Sequence, residues 1–390
     1  MNDSGKTRNS EIANAGSIGL ICAVPDQFSG IWMPRHQILT RLSSDFWTVW
    51  LEPPAYWQTD GISLRRPRVS SDTTYPKLLR FHNGYLAKVY KPRSLSRALD
   101  RRRLALARAA LRERGCEKFA LYVWRPQFAH YLDLYDWDLT VYHIDDEYSF
   151  SPEEPPITEQ ENTLLRSVDK VLIHSPGLME KKGEINPATK WIPNGVDYNA
   201  FSTRYPAPVD LARIPSPRIG YVGVLKSQLD FDLISALADA RPDWSFVLVG
   251  PRIYLGNQEA YLDALAKRPN VYELGMKSPS ELPSYVQHMD VAMMCYRVND
   301  YTNYIYPLKL HEYLASGVPI VSSPIRSLLE FQDSVILASG VEEWVTAIET
   351  ALSEPANSEA ARKKRKSIAA QFDWDALTTR IATEITEGLV

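Results

Sequence analysis

Ten short apolar runs, rich in β-branched and aromatic residues, alternate along the chain with stretches of helical spacing. Five fall in the first half: IGLICAV (18–24), FWTVWLE (46–52), FALYVW (119–124), LTVYHI (139–144) and KVLIHS (170–175). Five fall in the second: RIGYVG (218–223), FVLVG (246–250), VYELG (271–275), VAMMCY (291–296) and VPIVSS (318–323). A strand that is apolar throughout is buried on both faces, and strands separated by helices run parallel. The pattern predicts an α/β chain with two doubly wound sheets, each with helices on both faces. Such sheets bind ligands outside the carboxyl ends of their strands, so the residues just after each run are the candidates for chemistry.

The chain of 390 residues has room for two such domains. Between the halves, WIPNGVDYNAFSTRYPAPVDLARIPSPR carries several prolines and an Asn-Gly turn signal, which places the boundary near residues 195–217. The expected division is a disordered tail over 1–17, a first domain over 18–200, a second over 201–371 and a terminal helix over 372–390. A formal net charge of −3 gives no global attraction for nucleic acid. Cys22, Cys116 and Cys295 are too few for a disulfide framework and have no zinc-site spacing, which points to a reducing compartment. The tail MNDSGKTRNSEIANAGS lacks the apolar core of a secretory signal, and no apolar run reaches membrane-spanning length. The expected location is the cytoplasm.

The segment YPLKLHEYLASGVPIVSSP (306–324) holds the most specific signal. Pro307 suits a helix start and Gly317 suits the residue past its end, so Leu308–Ser316 is predicted as a short helix. Lys309 then sits in the first turn, where the helix dipole disfavours a cation by roughly 0.3–1 kcal/mol. An anion held between the free N–H groups and the ammonium reverses that sign, and a phosphate group is the simplest candidate. Glu312 is one turn on from Leu308, an acceptor suited to sugar hydroxyls. The plainer alternative is an ordinary i,i+3 pair between Lys309 and Glu312.

This segment resembles the donor-binding signature of GT-B-fold glycosyltransferases, near the retaining family-four type and related bacterial polysaccharide enzymes. The likeness extends to IPNGVD (192–197), to RIGYVGVLKSQLDFDLISALADARPDWSFVLVGP (218–251), to NVYELGMKSPSELPSYVQHMDVAMMCY (270–296), to FDWDAL (372–377) and to SGIWMPRHQILTRLS (29–43). It implies two Rossmann-like domains facing a cleft, with the C-terminal helix crossing back to the first. It also implies a nucleoside diphosphate sugar as donor and a glycan or lipid-linked glycan as acceptor, with no separate cofactor and no metal. Gly223, Lys226, Gly250, Gly275, Met276, Tyr306, Lys309 and Glu312 are the implied donor residues. Two positions depart from the family pattern. Tyr304 stands where a first glutamate is common, and Val224 and Leu229 stand where an arginine and a lysine are common. A non-catalytic scaffold and a nucleotide-sugar epimerase are the alternative functions.

On the acceptor side, YHIDDEYSF (142–150) follows a predicted strand. Asp145 or Asp146 there is the expected general base, with His143 a second candidate. The same acidic residues also suit loops and helix caps. Gly30, Trp32 and Arg35 follow the first strand, where Trp32 is placed either to stack on a sugar face or to join the core. Asp136-Trp137-Asp138 has the pattern of a metal-binding DxD, but it precedes a strand and is read as a loop. Residues 88–118 are strongly basic, with leucines 95, 99, 104, 106 and 111 interleaved. They suit either an anionic membrane surface or a solvated helix face.

Overall fold

The structure, a computed structural model, describes residues 17–53, 65–86, 93–148, 158–253 and 255–389. They form two compact units. One comprises the described residues through His174, with Leu178–Ile192 and those from Leu377 onward. The other comprises Ser175–Gly177 and Pro193–Ala376. The division falls at Ile192 rather than at residue 200.

The first unit holds β1 (Ile18–Ala23), β2 (Trp47–Leu51), β3 (Arg68–Ser71), β4 (Leu78–His82), β5 (Lys118–Val123), β6 (Leu139–Ile144), β7 (Lys170–Ile173) and β8 (Thr189–Trp191). Their order is β3-β4-β2-β1-β5-β6-β7-β8. The central strands β1 and β6 are buried at every position, which is why their sequences are apolar throughout. The ten runs do not include β3, β4 or β8. The edge strands β3 and β8 read RVSS and TKW, because an edge faces solvent and needs little apolar surface. Strand β3 also departs from the parallel expectation, pairing antiparallel with β4.

The second unit holds β9 (Arg218–Val222), β10 (Ser245–Val249), β11 (Val271–Gly275), β12 (Val291–Met294), β13 (Ile320–Ser322) and β14 (Ile336–Leu337). They are ordered β11-β10-β9-β12-β13-β14, with all pairings parallel. The order reverses direction beside β9, which makes the carboxyl end of β9 the switch point where ligands of such sheets bind. The helix Trp374–Glu387 starts in this unit, where Trp374 N–H bonds the Val196 carbonyl at 3.0 Å. From Leu377 it belongs to the first unit, burying Leu377, Ile381 and Ile385 at i,i+4 spacing and pairing Glu384 with Lys170 at 2.8 Å.

The basic segment forms the helix Arg93–Arg112. Its residues 88–92 lie outside the described part. Leu104 and Leu111 are fully buried, and Leu111 packs so closely on β1 that a Cβ at Gly19 would meet its Cδ1 at 2.8 Å. Leu104 and Leu111 are therefore core, whereas Leu95 is exposed. Arg103 is likewise inside, bonded to Asp100 at 3.2 Å, to the Tyr131 hydroxyl at 2.8 Å and to Asn83 at 2.8 Å. Arg108 lies over the rings of Phe119, Tyr135 and Trp137. Arg97, Arg101, Arg102 and Arg112 remain exposed.

Gly250 has φ +147°, and a Cβ there would overlap the Gly223 carbonyl oxygen. Gly250→Ala is expected to cost about 2–4 kcal/mol, because the clash is with backbone. Gly256 also has positive φ, +61°, but has no atom within 4 Å of a new Cβ. Gly256→Ala is therefore expected to cost only about 1–2 kcal/mol. Urea unfolding of both variants measures the difference, and equal losses would contradict the close approach.

Candidate functional site

In the second unit three glycines line up at neighbouring strand ends. Gly223 follows β9, Gly250 follows β10 and Gly275 closes β11. The Gly223 N–H bonds the Val249 carbonyl at 2.8 Å, and the Gly250 N–H bonds the Gly275 carbonyl at 2.9 Å. The absence of side chains at these positions leaves a bare backbone edge at the switch point. Gly275 has φ +67°, and Met276 beside it is 68% exposed. Lys226 follows in the turn after Gly223, where its carbonyl accepts the Leu229 N–H at 3.0 Å.

The helix Leu308–Ser316 packs against this edge, with the bounds the sequence predicts. Pro307 is its N-cap, and no side chain caps it. Its first turn contains no acid, so the free N–H groups there have no carboxylate beside them. Gly317 ends the helix at φ 77°, and buried Arg365 donates to the Gly317 carbonyl at 2.9 and 3.1 Å. That cation suits the negative end of the dipole. The Tyr313 hydroxyl accepts the Val222 N–H at 2.8 Å and ties the helix to the end of β9. As a result the Lys309 stem lies directly over Gly223, where a Cβ would meet Lys309 Cε at 2.5 Å. The Lys309 ammonium reaches a Glu312 carboxylate oxygen at 2.7 Å, with each side chain about 15% exposed. The i,i+3 pair weighed from the sequence therefore forms, and it forms at the glycine edge.

Tyr306 requires a correction as a donor-contacting side chain. It is 3% exposed, and its hydroxyl is 2.9 Å from His311 Nε2. The Tyr306 carbonyl accepts from Asn194 at 2.7 Å, and His311 stacks on Phe372 with ring centroids 4.0 Å apart. Tyr306 braces the loop ahead of the helix from inside the core.

In the first unit, Asp145 follows β6 and Arg125 follows β5. Arg35 reaches Asp145 at 2.9 Å and Asp26 at 2.6 Å, while Arg125 reaches Asp145 at 3.0 Å. The Tyr148 hydroxyl lies 2.9 Å from the same carboxylate. Burial by itself raises the Asp145 carboxyl, but the two guanidiniums outweigh it and hold the group at about 2. An acceptor proton does not transfer readily to so weak a base whose oxygens are already engaged, which corrects the general-base expectation for Asp145. Arg35, expected on the acceptor side, is 1% exposed and serves as its partner. His143 is buried and stacked on Trp124 at 4.3 Å, and its Nδ1 is 2.7 Å from the Tyr122 hydroxyl. Burial pushes its pKa down to about 3, so it is a neutral core residue and not an acceptor contact.

Asp146 is half-buried and accepts the Glu147 N–H at 2.9 Å. Glu147 turns inward to Lys181 at 2.8 Å and Lys182 at 3.0 Å, and Lys182 reaches Glu161 at 2.8 Å. Trp32 is half-buried and stacks on His36 at 4.9 Å, and Gly30 is exposed in a turn closed to the Gln27 carbonyl at 3.0 Å. Arg125, Tyr148 and Asp26 were missed from the sequence. Arg125 stands directly after FALYVW, so the rule that selected Asp145 also selects it. Asp138 accepts the Phe119 N–H at 2.7 Å, as a loop residue. Among the described residues, no group of three or more His, Cys, Asp or Glu side chains is placed to share a metal ion. No helix among them is long and apolar enough to cross a membrane.

Comparison with known proteins adds four findings. Residues 216–354 match the family model described as glycosyl transferases group 1. The putative teichuronic acid biosynthesis glycosyltransferase TuaH of Bacillus subtilis (strain 168) is 28% identical over 337 residues, spanning 80% of each chain. The sucrose-phosphate synthase of Thermosynechococcus elongatus aligns at a TM-score of 0.70 with 17% identity, covering 95% of this chain and 98% of that one. An E. coli trehalose-6-phosphate structure bound with UDP-2-fluoro glucose aligns at 0.67 with 13% identity, covering 95% and 99%.

Asp145→Asn removes the charge between two guanidiniums, one of them fully buried. It is expected to destabilise the chain by about 3–5 kcal/mol, whereas Asp146→Asn stays within about 1 kcal/mol. Denaturant midpoints test this, and a fully stable Asp145→Asn protein would contradict the structural role.

Proposed function

We propose that this chain, a GT-B-fold glycosyltransferase carrying a glycosyl transferases group 1 domain over residues 216–354, moves a hexose from a nucleoside diphosphate sugar to a hydroxyl of a glycan or lipid-linked glycan in cell-surface polysaccharide synthesis. The observation that carries this reading is the uncapped start of the helix Leu308–Ser316, with the Lys309 stem lying on Gly223 at the β9 switch point. The relative named for teichuronic acid biosynthesis supports the polysaccharide context.

In the reaction, the bond between the anomeric carbon and the diphosphate oxygen breaks as the acceptor oxygen bonds to that carbon. The diphosphate gains negative charge as it leaves. Lys309 and the first-turn N–H groups stabilise that charge, aided by Lys226, with no metal ion and no separate cofactor. Preorganised donors of this kind are typically worth about 3–4 kcal/mol each in the transition state. The bare backbone at Gly223, Gly250 and Gly275 admits the phosphates and base closely, beside Met276, and Glu312 holds the ribose hydroxyls. Asp146 orients the acceptor hydroxyl and takes its proton, with Trp32 and Gly30 beside the acceptor. A non-catalytic partner role is the second reading, favoured by Tyr304 in place of the family's first glutamate. Measured transfer or donor hydrolysis separates the two.

The enzyme works at the cytoplasmic face of the membrane. Arg97, Arg101, Arg102 and Arg112 are exposed on one helix, a basic face suited to anionic lipid.

A thermal-shift panel of nucleoside diphosphates and nucleotide sugars fixes the donor class. Lys309→Ala is expected to weaken nucleoside diphosphate binding by about tenfold or more without weakening nucleoside binding. Equal losses for both ligands would contradict the phosphate role. The Arg101→Glu/Arg102→Glu double variant, which leaves buried Arg103 intact, is expected to lower cosedimentation with vesicles of anionic lipid. Unchanged partitioning would contradict the membrane proposal.

A further inference from the structure

We infer that the Lys309–Glu312 ion pair is a specificity latch: it favours ligands that carry a sugar diol and a diphosphate in one molecule, and it disfavours either fragment alone. The inference rests on the nucleotide-binding reading above. The ammonium and carboxylate sit 2.7 Å apart, and with about 15% exposure each they are largely shielded from water. Shielded partners lose more than exposed ones when one of them is taken away. The helix dipole adds to this. Lys309 occupies the positive end, where Glu312 offsets the unfavourable position.

A free phosphate or pyrophosphate that captures Lys309 strips Glu312 of its cation and sets a second negative group beside it. A free nucleoside that engages Glu312 with its hydroxyls leaves the ammonium against the helix start without a counterion. A nucleoside diphosphate satisfies both at once: its phosphates replace the carboxylate for Lys309, and its ribose hydroxyls replace the ammonium for Glu312. The exchange needs little motion. The Lys309 stem already lies on Gly223, so the ammonium has only to turn from Glu312 toward the glycine edge. The site thereby resists occupation by small free phosphates.

Calorimetric titration of the full chain with three probes tests this: pyrophosphate, a nucleoside, and the corresponding nucleoside diphosphate identified by the thermal-shift panel. Glu312→Gln releases Lys309, so pyrophosphate is expected to bind this variant about tenfold more tightly than the unaltered chain, while the nucleoside diphosphate binds less tightly. Lys309→Met is the reciprocal arm, in which the nucleoside is expected to bind about tenfold more tightly. Pyrophosphate and nucleoside affinities that stay the same or fall in both variants, with nucleoside diphosphate still binding the unaltered chain, would overturn the latch alone. An unaltered chain that binds no nucleoside diphosphate would overturn the nucleotide reading and the latch with it.

Discussion

The close approach of two strand ends sets the rest of the second unit. At Gly250 the backbone passes so near the Gly223 carbonyl that no side chain fits between them. Three strand ends are thereby drawn together through the Gly223 and Gly250 N–H groups. The Tyr313 hydroxyl then fastens the helix Leu308–Ser316 to β9, and the Lys309 stem comes to rest on Gly223. Each step is a packing or hydrogen-bonding requirement. Together they put a flexible cation where the sheet has its bare backbone, beside a helix end that no side chain caps. The same helix has a buried arginine at its other end, so its charged groups sit at both termini with opposite consequences. The cation at the carboxyl end suits the dipole, and the one at the amino end is offset by its pair with Glu312.

The first unit spends its charges differently. Arg35 and Arg125 both bind Asp145 at the carboxyl edge of the sheet, and Glu147, Lys182 and Glu161 form a second buried set. Such groups are costly to desolvate and are retained only when every partner is present. Asp146, half-buried and next in sequence to Asp145, is the carboxylate kept for the proposed proton transfer.

What the sequence made legible follows from the range of the interactions. Each of the ten apolar runs marks one of the strands to within a residue, most plainly where burial on both faces writes itself into consecutive residues. The bounds of Leu308–Ser316 were legible because Pro307 and Gly317 act locally. The GT-B fold was legible from motifs of the same local kind. The fate of Asp145 was not legible: its partners are 110 and 20 positions away in sequence, at Arg35 and Arg125, and pattern reading does not pair them. Tyr306 misled in part for the same reason: its carbonyl is held by Asn194, 112 positions away, while its hydroxyl turns inward to His311. In the basic helix the leucine spacing was visible, but the spacing alone does not say whether a sheet or a lipid surface covers the apolar face. The packing on the sheet accounts for Leu111, while Leu95 stays exposed.

The proposed hold on the diphosphate leaving group is made by the Lys309 ammonium and the first-turn N–H groups of its helix, over the glycine edge. Its most direct test is an experimental structure with an intact nucleotide sugar bound. Pyrophosphate oxygens are expected within hydrogen-bonding distance of Lys309 Nζ and of the first-turn amides, with the Glu312 carboxylate turned to the ribose. A pyrophosphate seated elsewhere while Lys309 and Glu312 remain paired would contradict it.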